Sequence, residues 1–342
     1  MEVENIVIVL TPFQKYMIGS VDKNLFDLET TLVFHSKHVS FENCNCKTER
    51  INGFEFSKRR LFRLDLSYFK EAKHAIQRIR GEISEYQTQY SLTNGLNVFI
   101  GSEKDVFSQM LLATPSVNLK ISNLIAVEEG IGYYKTGRTF NTQLTKIAYK
   151  LLTPILFGER IDYVYTLGLD PRIKIVYARM PKLLPKKRKG VEYLQLLGPA
   201  RKGKRIYSAS TKKILIYSFP SEDYGMKDHE KKNIFKILIN AFPQKQIVIK
   251  PHPRENVDLF NNEIRNNNVT LLDKGFIGEG IDYFEFEKII NFSSSVVIDI
   301  LMAGYPKEEI YTIFFDKSPK ISFLKETKCL KLANLNMKNF ED

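Results

Sequence analysis

Apolar and polar positions along this chain fall into two alternating patterns. Residues 5–10 (NIVIVL) form a continuous aliphatic run, the mark of a strand buried on both faces. Thr11-Pro12 follows at once; threonine suits an N-cap and proline the first helical position, so a helix is predicted from Phe13 onward. Residues 31–34 read as a second strand, and residues 66–86 place apolar side chains at helical spacing with charges between them. A strand at 97–100 is turned by Gly101-Ser102 into a helix over 104–112, and short apolar strands are predicted at 124–127 and 163–167. From residue 213 the rhythm restarts: strand 213–218 (KILIYS), helix 228–241, strands 246–249, 269–272 and 288–291, then a helix over 294–302. Strands alternating with helices at this spacing predict α/β structure with parallel sheets and helical crossovers. The expectation is two Rossmann-like domains facing across a cleft: residues 1–180 and 212–342, joined by a basic linker at 181–211.

Length agrees, because 342 residues exceed what one compact core usually holds. No stretch approaches the roughly 18 apolar residues needed to cross a bilayer; the best candidate, 151–157, is short and contains Pro154. The start, with Glu2 and Glu4, lacks the basic and apolar regions of a secretory signal. Three cysteines, Cys44, Cys46 and Cys329, are too few for a disulfide framework and read as thiols in a reducing cytoplasm. The Cys44-Asn45-Cys46 spacing offers no closed metal site without a second Cys/His pair, so no metal is expected. A net charge of +12 favours anionic partners. The basic residues crowd into 182–213, as in Lys186-Lys187-Arg188-Lys189, a stretch that reads equally as a solvated linker and as attraction to an anionic membrane surface. No recognition helix, zinc finger or aromatic-basic motif accompanies the charge, which argues against nucleic acid.

In open parallel sheets, ligands bind beyond the carboxyl ends of the strands, and three motifs sit there. After strand 124–127 comes Glu128-Glu129-Gly130; paired carboxylates repel, which raises the pKa of one and suits a general base. After strand 246–249 comes Lys250-Pro251-His252-Pro253, where the prolines restrict the backbone and hold an imidazole that could serve a leaving phosphate, with Lys250 adding charge. After strand 288–291 comes Phe292-Ser293-Ser294-Ser295, hydroxyls and backbone N–H groups at a helix start that suit a phosphate. Each alone also fits an ordinary turn or cap. Their order, carboxylates in the first block and histidine then serines in the second, is what sugar transfer demands.

At these residues the chain resembles the bacterial sialyltransferases of glycosyltransferase families 38, 52 and 80, which share an acidic-acidic-glycine motif, a His-Pro motif and a serine motif, in that order, on a GT-B fold. Leu10-Thr11-Pro12-Phe13-Gln14 is similar to the first strand-to-helix turn of the lipooligosaccharide members. The resemblance implies an inverting transfer of sialic acid from CMP-sialic acid to a glycan terminated by galactose or sialic acid, of lipooligosaccharide or capsule type, without cofactor or metal. It implies one of Glu128 and Glu129 as the base, with Glu129 preferred because it directly precedes Gly130. It further implies His252 at the departing CMP phosphate, Ser294 and Ser295 holding that phosphate, and Glu279 at the ribose. The cysteine usage and the basic stretch at 182–213 lead to the cytoplasm, with peripheral contact at the inner membrane face, as the expected location, and a homodimer stays open. Three alternatives stay open: another CMP-linked acidic sugar (Kdo, pseudaminic or legionaminic acid), glycerophosphate transfer from CDP-glycerol, and a basic surface-binding protein with no catalysis. The glycerophosphate reading is supported by Ser294-Ser295-Val296-Val297-Ile298-Asp299, but the His-Gly-Thr-Pro motif expected with it is absent.

Overall fold

A computed structural model describes residues 2–21, 27–37, 39–41, 45–56, 60–61, 65–113, 121–136, 140–164, 166–196, 213–252, 254–260, 268–274, 281–315, 321 and 326–340. The chain divides into two compact units, Met1–Pro199 and Ala200–Asp342.

The first unit is built on a parallel sheet of seven strands: β1 (Glu2–Val9), β2 (Thr31–His35), β3 (Lys47–Arg50), β4 (Ser91–Ile100), β5 (Ile121–Val127), β6 (Ile173–Ala178) and β7 (Glu192–Gln195), in the order β3-β2-β1-β4-β5-β6-β7. Among its helices are α1 (Pro12–Ile18), α2 (Leu66–Gln89), α3 (Val106–Ala113) and α4 (Phe140–Phe157). Val7, Val9, Val33, Phe99, Ile125 and Val127 are buried with Met17 and Ile18 of α1, which is why the central strands read as unbroken apolar runs. Among the described residues of 163–167 the predicted strand is not formed. Gly168 takes a left-handed conformation (φ 75°), and the Glu103 carboxylate accepts the N–H groups of Gly168 and Asp170 at 2.5 and 2.8 Å, which holds this stretch as a loop. The sheet position is filled instead by β6. The segment expected as a linker likewise contributes β7, paired in register with β6, and Leu196 packs in the core of the first unit.

The second unit carries a parallel sheet of β8 (Lys213–Tyr217), β9 (Gln246–Lys250), β10 (Val269–Leu271), β11 (Lys288–Asn291), β12 (Ile310–Phe314) and β13 (Lys328–Lys331), in the order β10-β9-β8-β11-β12-β13. Helices α5 (Asp228–Asn240) and α6 (Val296–Met302) accompany it. Ile214, Ile216, Phe219, Phe235, Leu238, Ile249, Ile290 and Phe292 belong to one core. Both sheets are all-parallel with helical crossovers, as the sequence predicts. Among the described residues no helix is long and apolar enough to cross a membrane. Cys329 is an exposed thiol outside any disulfide, whereas Cys46 is disulfide-bonded, which corrects the reading of all three cysteines as thiols.

Candidate active site

In each sheet the chain leaves its first strand in one direction and later returns to the other side, which opens a crevice at the switch point where α/β folds bind ligands. In the first unit the switch lies between β1 and β4. Three loops meet there, after β1, β4 and β5.

The loop after β1 is set by α1. Thr11 caps the helix, its Oγ1 accepting the Gln14 N–H at 3.1 Å, with Pro12 at the first position. Gln14 is thereby turned into the sheet and buried. Its Oε1 accepts the Leu10 N–H at 2.5 Å, and its Nε2 donates to Glu129 Oε2 at 2.5 Å. The loop after β4 makes room: a Cβ on Gly101 would stand 2.7 Å from Gln14 Cγ.

The loop after β5 carries the acidic pair, and the two carboxylates live in opposite surroundings. Glu128 is fully buried. Its Oε1 accepts from Arg179 Nε at 2.9 Å and Nη2 at 2.5 Å. Its Oε2 accepts the Arg179 N–H at 2.7 Å and the Tyr134 hydroxyl at 2.6 Å. Arg179, at the end of β6, is itself fully buried, with its guanidinium 5.1 Å from the Phe13 ring centre. Every lone-pair direction of Glu128 is therefore engaged, and it serves as a cross-brace between β5 and β6. Gly130, at φ 120°, then turns the chain into a short 3-10 segment, Ile131–Tyr133. Glu129 is only part-buried. Desolvation pushes its carboxyl up to about 7, against the downward pull of Lys104 and of hydrogen bonds from Gln14 and Ser102; Glu55 adds a smaller upward push. Lys135 faces the same charges. Burial lowers its ammonium to about 8, Lys104 repels it, and Glu129 attracts it.

In the second unit the switch lies between β8 and β11. The His252 N–H donates to Glu255 Oε2 at 2.8 Å, and the Glu255 N–H returns to the His252 carbonyl at 3.0 Å. His252 Nδ1 accepts the Arg254 N–H at 3.2 Å, so the neutral ring carries its proton on Nε2. The turn is anchored from below. Glu255 is buried and accepts from the Ser218 hydroxyl at 2.7 Å and from the ammonium of Lys231, a fully buried residue of α5. That ammonium lies 4.6 Å from the centre of the Phe219 ring and 5.6 Å from that of Phe260. Lys250 is also buried, and its Nζ donates to the carbonyls of Pro251 (2.6 Å) and Lys274 (3.2 Å), which pins the strand end.

The serine turn beyond β11 is organised by Asn291, fully buried. Its Nδ2 donates to Tyr311 O and Thr312 Oγ1, both at 3.0 Å, and its Oδ1 accepts the Ser294 N–H at 3.2 Å. Ser293 takes a left-handed conformation (φ 54°) and points inward, donating to Ile313 O at 3.4 Å. Ser294 and Ser295 stay half-buried at the start of α6. Pro253 and Glu279 lie outside the described residues.

The structure thus gathers Thr11, Pro12, Gln14, Glu129 and Gly130 at one switch point. It sets His252, Ser294 and Ser295 at the ends of β9 and β11, the strands on either side of β8. Residues not anticipated are Arg179, Tyr134, Gly101, Ser102, Lys104 and Lys135 around the acidic pair, and Ser218, Lys231 and Glu255 below the histidine. One signal was legible: Lys231 stands at helical spacing with Ile234, Phe235 and Leu238, on the apolar face of α5.

The sequence model of glycosyltransferase family 52 matches residues 96–313, over half of the chain, a range within which the three motifs lie. No curated protein is similar enough in sequence to be matched. Among solved structures, the chain is similar to the glycotransferase of kitacinnamycin (TM-score 0.56, 10% identity, 98% of this chain and 88% of that one). It is similar to the glycosyltransferase SnogD from Streptomyces nogalater (0.53, 11%, 98% and 89%). A third is the alpha/beta-galactoside alpha-2,3-sialyltransferase from Photobacterium phosphoreum (0.51, 11%, 97% and 100%). At these identities the likeness speaks for the fold, that of GT-B glycosyltransferases.

Proposed function

The chain belongs to glycosyltransferase family 52, and from that premise we propose that it transfers sialic acid from CMP-sialic acid to a hydroxyl of a glycan, with inversion and without a metal. The carrying observation is the asymmetry of the acidic pair. Glu128 is consumed by Arg179, while Glu129 is part-buried, held by Gln14, and raised to about 7. A carboxylate of that affinity matches a general base working near neutral pH.

In this reading Glu129 takes the proton of the acceptor hydroxyl. The acceptor oxygen forms a bond to the anomeric carbon as the bond from that carbon to the CMP phosphate oxygen breaks, and the electron pair leaves with CMP. His252 Nε2–H, with the Ser294 and Ser295 hydroxyls, stabilises the departing phosphate. Lys104 and Lys135 supply positive charge beside the base, which suits a donor or acceptor bearing a carboxylate. The acceptor class is a galactose- or sialic-acid-terminated glycan, and the cytoplasm is the compartment that holds the nucleotide sugar.

Incubation with CMP-sialic acid and a panel of galactosides, with and without chelator, tests the reading. Sialylated product and free CMP are expected in equal amounts, unchanged by chelator. Glu129→Gln and His252→Ala should each cut turnover by about 10²-fold or more. Wild-type turnover in Glu129→Gln would overturn the base assignment, and CMP release from a different CMP-sugar alone would overturn the donor.

A further inference from the structure

We propose that the outer face of α4 is a docking surface for an anionic lipid bilayer, with the helix lying in the plane of the membrane. The inference is independent of the transfer reading.

α4 carries two apolar faces where a helix of a globular unit ordinarily has one. The inward face is filled. Tyr149 and Phe157 pack on Phe56, at centroid distances of 6.0 and 5.2 Å, and Thr145 and Thr153 are buried beside them. The Thr153 hydroxyl donates to Tyr149 O at 2.8 Å and accepts the Ile161 N–H at 3.0 Å. Core packing therefore accounts for this side of the helix and, among the described residues, leaves the other side exposed.

The outward face is a stripe of four large aliphatic side chains: Leu144 (48% exposed), Ile147 (55%), Leu151 (60%) and Ile155 (79%). Spacings of three, four and four residues put them on one line along the helix. A contiguous exposed apolar strip rimmed by polar groups marks an interaction surface. The charges beside it indicate the partner. The 18 residues of α4 include no Asp or Glu, and their two charged side chains, Lys146 and Lys150, are both exposed along one flank. Among the described residues neither forms an ion pair, whereas the first acidic residue past the helix, Glu159, is engaged by Arg80 at 2.6 Å. Antiparallel self-pairing of this face, about a two-fold axis perpendicular to the helix, would bring the lysines of both copies together, which like-charge repulsion disfavours. Anionic headgroups beside a hydrocarbon boundary satisfy both the lysines and the aliphatic strip. The overall charge of +12 acts in the same direction.

Co-sedimentation of the full-length protein with vesicles tests the proposal. Vesicles containing phosphatidylglycerol should bind at least tenfold more protein than pure phosphatidylcholine vesicles, with binding falling as salt is raised. Leu151→Glu with Ile155→Glu should lose at least tenfold of that binding with an unchanged melting temperature, because both side chains are exposed. Lys146→Glu with Lys150→Glu should abolish the preference for anionic lipid. Failure of the wild type to sediment with anionic vesicles would overturn the proposal. So would wild-type binding by the Leu151/Ile155 variant. A dimer that this variant converts to a monomer, with no lipid binding in either protein, would assign the stripe to a second copy instead.

Discussion

At the scale of the residue, two adjacent glutamates of identical chemistry are given different work by their neighbours. Glu128 and Arg179 form a fully buried pair with further hydrogen bonds from Tyr134 and a backbone N–H. Removing one partner of such a pair leaves an uncompensated buried charge. Glu128→Gln is therefore expected to destabilise the fold by about 3–5 kcal/mol, read as a lower denaturant midpoint. Glu129→Gln, at a part-buried position, should leave that midpoint nearly unchanged while cutting turnover by about 10²-fold or more. The pH profile separates the two as well. Glu129 must be ionised to accept a proton, and its carboxyl is raised to about 7. The rate under kcat/KM conditions should consequently rise about tenfold per pH unit up to about pH 7 and then level off. A flat profile between pH 5.5 and 7.5 would exclude Glu129 as the base.

At the scale of the element, the candidate residues of each unit sit on strand-to-helix turns, and in the first unit the turns after β1 and β5 are tied to one another. Gln14 is the joint between the turns after β1 and β5, and Gly101 after β4 is the space it needs. Gly101→Ala would drive a methyl group against Gln14, an overpacking that costs about 1–3 kcal/mol or displaces the amide from Glu129. Loss of turnover in Gly101→Ala that Gln14→Ala also shows, with the double variant no worse than either, is the expected result of steady-state assays. In the second unit the corresponding joint is Glu255, which ties the histidine turn to β8 through Ser218 and to α5 through Lys231. Gln14 and Lys231 could be singled out in the sequence, but neither contact could. Gln14 and Glu129 are 115 positions apart, and only the parallel order of β1, β4 and β5 brings their turns together.

At the scale of the whole molecule, each unit has its own sheet and its own core, and the His252 and serine turns both belong to the second. A ligand that binds only the folded state stabilises by about 2.7 kcal/mol when present at a hundred times its Kd. For a unit of this size that is a rise of about 5–10 °C in Tm. CMP should produce such a shift in thermal unfolding, and UMP or UDP a much smaller one. Equal shifts from all three nucleotides would count against a pocket built for CMP.

The alternation of strands and helices is written in the sequence because strands buried on both faces must be continuous apolar runs. β1, β5, β8, β9 and β11 are all of this kind. The three motifs are legible for the same reason, since each directly follows such a run. The edge strands β3 (KTER), β7 (EYLQ) and β13 (KCLK) are not, because a strand at a sheet edge needs little apolar surface and reads as a polar loop. Residues 163–167 and β6 are both rich in β-branched and aromatic residues. The choice between them rests on a left-handed glycine and on a carboxylate some 65 positions away. The sequence alone thus determined which residues could be chemical. Tertiary structure decided which of two neighbouring carboxylates remains available, because Arg179 reaches Glu128 from the end of another strand, a contact that no local pattern encodes.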